Sequence, residues 1–265
     1  MPAFDTDQLN TDQLNTTVVG RGPRVVLCHG FTQNSDCWGA FADDLAADHE
    51  VVLLDLPGHG ASGHDSADLD ESGRLIGAVG GAGVYVGYSM GGRMALHLSL
   101  AQPELVRALV LIGATAGIED ETERGRRLLA DETLAGALSD QGLERFLDDW
   151  LAGPLFASLS SGQAARQQRL VNRVEGLAAS LRTVGTGSQR SLWSELARLD
   201  MPVLAMAGLA DTKFSEIARR LAKAVGVNAE VAVLPGGHAV HLESPVAAAD
   251  RVRQLVTRVS NNSPS

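Results

Sequence analysis

One stretch in the first half of the chain decides the fold: Val84-Tyr85-Val86-Gly87-Tyr88-Ser89-Met90-Gly91. It contains the pattern Gly-x-Ser-x-Gly, preceded by a short apolar run and followed by a helix-like run. A strand, a sharp turn and a helix form the context in which this pattern presents a nucleophilic serine. The glycines are needed because side chains in so tight a turn would collide with the neighbouring strand and helix. The alternative is a glycine-rich turn with an incidental serine.

Short apolar runs rich in Val and Leu alternate with longer amphipathic stretches on both sides of this turn. The runs predict buried strands at residues 25–28, 51–54, 84–86, 108–112, 202–207 and 231–234. Helices are predicted at residues 38–47, 91–101, 214–224 and 245–259. This alternation indicates an α/β protein with a mostly parallel sheet and helices on both faces.

The alternation is interrupted between residues 117 and 199, where helical periodicity continues without a strand-like run. We predict a helical cap there, inserted after the sixth strand and lying over the carboxyl edge of the sheet, where such sheets bind ligands. The core would comprise residues 17–116 and 200–259. Residues 1–16, which include a duplicated pentapeptide, and residues 260–265 are expected to be flexible ends.

A serine needs a base and an acid to become reactive, and in this fold they follow it in the order Ser, acid, His. Asp211 follows the strand at 202–207 in Gly208-Leu209-Ala210-Asp211, and His238 follows the strand at 231–234 in Pro235-Gly236-Gly237-His238. Both therefore belong at the same edge of the sheet as Ser89. His241 also follows Asp211, but its position favours a packing or capping role. We predict a Ser89–His238–Asp211 catalytic triad.

The loop after the first predicted strand reads His29-Gly30-Phe31, where this kind of site places half of its oxyanion hole. The backbone amide of Phe31 would act with that of Met90, which opens the helix after Ser89.

Composition limits the partners. The chain has 265 residues and a formal net charge of −10, which argues against nucleic acid or an anionic membrane as the main partner. A local basic pocket remains compatible with this charge.

Cys28 and Cys37 show no metal-ligand spacing, so we expect two buried, reduced thiols and a cytoplasmic location. Both a monomer and a small homo-oligomer are compatible with the sequence.

Beyond the generic motifs, the chain resembles the 2-succinyl-6-hydroxy-2,4-cyclohexadiene-1-carboxylate (SHCHC) synthases, α/β-hydrolase-fold enzymes of menaquinone biosynthesis. The resemblance runs from His29 to Pro245. The segments that carry it are 87–93, Glu123-Arg124 and Arg127 upstream of Asp131, Trp150 ahead of 154–159, 169–172, 176–182, 185–189, 191–193 and 211–214. Arg190 stands where Pro is expected, a departure that concerns the shape of a cap loop.

The resemblance implies a lyase that eliminates pyruvate from a small polycarboxylate without a metal or an organic cofactor. It assigns substrate binding to Arg93, Arg127 and Arg169, with Arg124 as the alternative to Arg127, and it lets Tyr88 and Trp150 line the pocket. Arginine suits carboxylates because its planar fork can bind two oxygens at once. The cap arginines could instead form surface pairs with Glu119, Glu121 and Glu123.

Two other functions remain open at this point. A carboxylesterase or a C–C bond hydrolase of the same fold would use the same triad, so the triad cannot exclude it. The arginines and the Asp-x-Lys-Phe segment at 211–214 favour the synthase. A non-enzymatic receptor of this fold is disfavoured, because such proteins commonly lack a triad member.

Overall fold

A computed structural model describes residues 14–63 and 67–261 of the chain. The strands are β1 (Thr16–Val19), β2 (Arg24–Cys28), β3 (Glu50–Leu54), β4 (Gly83–Tyr88), β5 (Val106–Ile112), β6 (Val203–Gly208) and β7 (Ala229–Leu234). They form one sheet in the order β1-β3-β2-β4-β5-β6-β7. β1 runs antiparallel to β3, and the other neighbouring pairs are parallel. All six predicted strands are present, with ends shifted by at most two residues.

Helices cover both faces of the sheet. They are α1 (Ala40–Leu45), α2 (Leu69–Gly80), α3 (Met90–Ala101), α8 (Thr212–Val225), α9 (Val240–Glu243) and α10 (Pro245–Asn261). One apolar core joins the sheet to α2, α3 and α8, and a second joins it to α1, α9 and α10. The central strands are buried on both faces, which is why they consist mostly of apolar residues without polar alternation. The helix α2 was not among the predicted helices.

Four helices lie between β5 and β6. They are α4 (Glu121–Gln141), α5 (Leu143–Leu151), α6 (Arg166–Arg169) and α7 (Val174–Val184), with short 3-10 helices at Pro154–Phe156 and Trp193–Arg198. Two more 3-10 helices, Ser35–Trp38 and Pro103–Leu105, lie outside the insertion. The inserted helices have a small apolar core of their own, which includes Leu138, Phe146 and Leu177.

The insertion lies within the predicted residues 117–199, but the expected number of strands before it is wrong for the described residues. Five strands, β1 to β5, precede it, whereas we expected six. The chain leaves the sheet at Ile112, the end of β5, and returns at Val203, the start of β6. The insertion therefore begins after β5, the strand that follows the helix α3 carrying the nucleophile turn.

The described parts of both expected flexible ends are ordered. Leu14 is buried in the main core, the Asn15 side chain donates to Asp55 over 2.8 Å, and Thr16 begins β1. These long-range contacts outweigh the polar local composition. At the other end, α10 continues to Asn261. Residues 1–13, which contain the pentapeptide repeat, and 262–265 lie outside the described residues.

Candidate active site

The turn between β4 and α3 holds Ser89 in a strained backbone conformation, with φ 50° and ψ −105°. A Cβ atom at Gly87 would lie 2.4 Å from the Cα of Gly92, and one at Gly91 would lie 2.1 Å from the carbonyl oxygen of Cys28. Both positions therefore require glycine. The tight turn lifts Ser89 above the carboxyl ends of the strands, into a cavity beneath the inserted helices.

His238 and Asp211 meet Ser89 at this edge of the sheet. The Nδ1 atom of His238 lies 2.8 Å from Oδ2 of Asp211, and its Nε2 atom lies 3.4 Å from Oγ of Ser89. The second distance is long for a hydrogen bond, as is common before a substrate binds. The imidazole is buried between the rings of Tyr88 and Phe214, with centroids 5.4 and 4.5 Å away. The structure thus brings the three predicted side chains together.

The ionisation of Asp211 fixes the tautomer of His238. Burial by itself raises the pKa of the Asp211 carboxyl, but the hydrogen bonds from His238 and from the Phe214 amide outweigh burial and hold this pKa below its ordinary value. An ionised carboxylate can only accept, so Nδ1 of His238 donates to it. The Nε2 atom that faces Ser89 is then free to accept a proton.

The two residues whose amides are predicted to form the oxyanion hole, Phe31 and Met90, line the cavity that contains Ser89. Neither the Phe31 nor the Met90 amide has an acceptor among the described residues. The loop that carries Phe31 is held by His29, whose Nδ1 donates to the carbonyl of Gly30 over 2.8 Å while its Nε2 accepts from the amide of Leu56 over 3.0 Å. Burial is the main cause that lowers the pKa of His29 to about 3, so the ring is neutral and can make both bonds.

Two of the predicted arginines are buried without a carboxylate. Arg93 is 7% exposed, and Arg169 is 1% exposed. Arg93 donates to the carbonyl of Val184 over 2.6 Å. Arg169 donates to the carbonyl of Ala164 over 2.8 Å and to the side chain of Thr32. Neither forms an ion pair within the part of the chain that the structure describes.

Burial lowers the pKa of both guanidinium groups, that of Arg93 to about 10. Arginine side chains keep their proton in proteins, so both groups are charged at neutral pH. A buried charge is costly unless an opposite charge compensates it. Since both arginines line the cavity that contains Ser89, an anionic ligand in this cavity would supply the missing charge.

Arg127 differs from these two. Its side chain is 41% exposed, and its Nε atom donates to Oδ1 of Asp131 over 2.8 Å. Arg127 lines the cavity, whereas Arg124, its alternative, is not among the lining residues. The alternative expectation was that the arginines of the site form surface ion pairs with acidic residues such as Glu119. Glu119 pairs with Arg220 instead.

The cavity has a volume of about 220 Å³. All ten residues predicted for the triad, the oxyanion hole and the substrate site line it, whereas Arg124 does not. Trp150 packs edge-on against Phe31, with ring centroids 5.4 Å apart, so the inserted helices contact the oxyanion loop directly. His241 is buried against Tyr88, Trp38 and Phe41, which agrees with its predicted packing role.

Several lining residues were not predicted. They include Asp131, Ser180, Thr186, Lys213 and Phe214. All five belong to segments that carry the resemblance, so the sequence contains a signal for them, but local patterns assign them no role.

Cys28 and Cys37 are buried and free, as predicted. Within residues 14–63 and 67–261, no cluster of His, Cys, Asp and Glu side chains could hold a metal ion. No helix in the same ranges is long and apolar enough to cross a membrane.

Fold and site together define an α/β hydrolase, and a model of the alpha/beta hydrolase family matches residues 25–251. Comparison with similar proteins indicates which α/β hydrolases this chain resembles in sequence and structure. A putative SHCHC synthase of Bacillus subtilis is 33% identical over 94% of this chain and 97% of its own length. The SHCHC synthase of Klebsiella pneumoniae is 30% identical over 88% of this chain and 94% of its own length. The structure of MenH from S. aureus superimposes with a TM-score of 0.85, at 29% identity over 92% of this chain and 98% of that one.

The chain therefore belongs to the SHCHC synthase family within the α/β hydrolases.

Proposed function

We propose that the chain is an SHCHC synthase, which eliminates pyruvate from 2-succinyl-5-enolpyruvyl-6-hydroxy-3-cyclohexene-1-carboxylate. The observation that carries the proposal is the pair of buried guanidinium groups, Arg93 and Arg169, which share a cavity with Ser89 and have no carboxylate partner among the described residues. A polycarboxylate supplies the anions that these groups lack. A neutral ester would leave both charges uncompensated.

In the proposed reaction the triad acts as a base and does not form an ester. The Nε2 atom of His238 takes the hydroxyl proton of Ser89, and the Ser89 oxygen removes a proton from a ring carbon of the substrate. The electron pair of the broken C–H bond shifts through the ring and breaks the C–O bond to the enolpyruvyl group. The leaving enolpyruvate takes up the proton held by His238 and becomes pyruvate, so the triad returns to its starting state and no water is consumed.

Other groups support this step through their position. Asp211 holds His238 in the required tautomer and stabilises its cation. The amides of Phe31 and Met90, without acceptors among the described residues, stabilise the negative charge that develops on a substrate oxygen. The proposal needs no metal ion and no organic cofactor.

The proposal extends to partner and location. The partner is a small polyanion, in keeping with cationic groups that line one cavity of an acidic protein. Nucleic acid and membranes are not part of the proposal. The two buried, free cysteines are compatible with a reducing compartment and support a cytoplasmic location.

The test follows pyruvate release from the enolpyruvyl substrate, with lactate dehydrogenase and NADH as the reporter. Hydrolysis of a panel of p-nitrophenyl esters, measured in parallel, tests the hydrolase alternative. Ser89→Ala enzyme gives the background rate of both assays. Pyruvate release that depends on Ser89 and exceeds ester hydrolysis in kcat/KM supports the synthase. Efficient ester hydrolysis without pyruvate release would replace the synthase with a hydrolase.

A further inference from the structure

Asp131 is a carboxylate on α4 that lines the cavity, and the reaction described above gives it no role. It is fully buried. Its Oδ1 atom accepts from Nε of Arg127 over 2.8 Å, and its Oδ2 atom accepts from the backbone amide of Gly187 over 3.0 Å. Both carboxylate oxygens therefore have a partner, and each partner belongs to a segment beside the cavity.

The surroundings of Asp131 leave it little freedom. A Cβ atom at Gly185 would lie 2.6 Å from Oδ2 of Asp131, and a Cβ atom at Gly187 would lie 2.4 Å from the amide nitrogen of Leu128. The loop between α7 and residue 188 is thus packed directly onto α4. This contact fixes the carboxylate, which can in turn fix the side chain that donates to it.

Arg127 needs such an anchor more than the other two arginines. Arg93 and Arg169 are held by burial, but the Arg127 side chain is 41% exposed, and a free arginine side chain loses considerable conformational entropy when a ligand immobilises it. Asp131 contacts Arg127 through Nε. The two Nη groups have no acceptor among the described residues, so they remain available as a fork for a carboxylate.

Asp131 also balances charge. Burial has the largest effect on the pKa of Arg93, which it lowers. The positive charge of Arg127 lowers this pKa further, and the negative charge of Asp131 raises it. The carboxylate therefore offsets the repulsion between two guanidinium groups that face one cavity.

We propose that Asp131 is a positioning residue that holds Arg127 towards the cavity, with both Nη groups free for a substrate carboxylate. This inference rests on the proposed function, because it takes Arg127 to be a substrate-binding residue. It predicts that the charge of Asp131 acts on substrate affinity mainly through Arg127.

The experiment is a double-mutant cycle on kcat/KM for pyruvate release, with wild type, Asp131→Asn, Arg127→Ala and the double variant. Asparagine keeps the volume and an oxygen for the Gly187 amide but loses the charge. Loss of a charge-assisted contact predicts that Asp131→Asn lowers kcat/KM about tenfold, mainly through KM. In the Arg127→Ala background, the same substitution should cost less than about twofold, because the group that it positions is absent.

Asp149→Asn is the matched control. Asp149 accepts from Arg145 over 3.1 Å with the same spacing of four residues, but this pair lies on the exposed face of α5, outside the cavity. The kcat/KM of the Asp149→Asn variant should equal that of wild type. Circular dichroism melts of all variants show whether each is folded at the assay temperature.

An equal loss from Asp131→Asn in both backgrounds would overturn the inference, as would a loss in kcat with KM unchanged. If Asp131→Asn does not fold, Arg127→Lys tests the same point, since lysine can keep the ion pair but lacks the free fork. Its KM should rise, by less than that of Arg127→Ala because an ammonium group restores only part of the contact, and a wild-type KM overturns the inference. Failure of the proposed function looks different, because wild-type enzyme would then release no pyruvate.

Discussion

The guanidinium group of Arg93 donates a hydrogen bond to the backbone carbonyl of Val184, 2.6 Å away. Arg93 lies in the first turn of α3, four residues after Ser89, and Val184 is the last residue of α7 in the inserted helices. One side chain thus joins the nucleophile helix to the cover of the cavity. Substitutions here can alter both the binding of an anion and the closure of the cavity, so activity and stability need to be measured together.

Replacement of Ser89 by alanine should abolish turnover. Because triad members act as one unit, we expect kcat for pyruvate release to fall at least about a thousandfold. Alanine fits the turn less well than glycine but no worse than serine, so the melting temperature should stay close to that of wild type. Stopped assays with high enzyme concentration give the residual rate. A variant within tenfold of wild type would rule out the triad as the reacting group.

The proposed base role of Ser89 predicts that no covalent intermediate forms. Intact-protein mass spectrometry during steady-state turnover of the enolpyruvyl substrate should show only the unmodified chain. A p-nitrophenyl ester measured under the same quench conditions is the positive control, since an acyl-enzyme is the expected intermediate of hydrolase chemistry. A mass increase on Ser89 that corresponds to part of the natural substrate would indicate nucleophilic catalysis.

The triad could be predicted from the sequence because each member comes shortly after the end of its strand. Ser89 comes directly after β4, two residues separate Asp211 from the end of β6, and three separate His238 from the end of β7. Parallel strands bring their carboxyl ends to one edge, so local patterns sufficed to place the three side chains together. The same holds for the loop that carries Phe31, which comes after β2.

The unpredicted features depend on contacts between distant segments. The edge strand β1 is formed by Thr-Thr-Val-Val, a weak pattern that becomes a strand only because β3 pairs with it. The position of Asp131 depends on an amide 56 residues away. Sequence patterns report local periodicity and cannot show which distant backbone group meets a given carboxylate.

Acid should destabilise the protein through His241. Burial, with smaller effects of His238 and Arg169, lowers the pKa of His241 from 6.5 to about 3. Below pH 6.5 the unfolded chain binds a proton that the folded chain does not, so stability rises with pH in this range and is lost as the pH falls. From pH 8 to pH 5 the loss through this one residue is about 2 kcal/mol in the free energy of unfolding.

Replacing His241 isolates this contribution. Phenylalanine keeps an aromatic ring among Trp38, Phe41 and Tyr88, and glutamine keeps polarity, yet neither titrates. Urea unfolding at pH 8 and pH 5 should show a smaller stability difference for both variants than for wild type, whatever their absolute stability. His29, with its pKa also lowered to about 3, should keep part of the pH dependence. An unchanged difference in both variants would contradict the prediction.

The last prediction concerns charge recognition, where synthase and hydrolase differ most. Arg93→Ala, Arg127→Ala and Arg169→Ala should each remove a charge-assisted contact worth about 1.5 to 3 kcal/mol, or roughly ten- to a hundredfold in kcat/KM for the anionic substrate. A lysine at any of the three should restore only part of the loss, because an ammonium group cannot reproduce the two-pronged contact.

The structure distinguishes the three positions. Arg127 contacts no part of the triad or of the oxyanion loop, so its loss should appear mainly in KM. Arg169 also donates to Thr32, next to Phe31, so its loss should lower kcat as well. Arg124→Ala is the control, since Arg124 lies on the same helix as Arg127 but outside the cavity lining. Each variant is assayed on the enolpyruvyl substrate and on one neutral ester, and the ratio of the two kcat/KM values should fall for the three cavity arginines alone. A parallel loss on both substrates would mean that these arginines maintain the fold of the site and do not recognise charge, which would favour the esterase alternative.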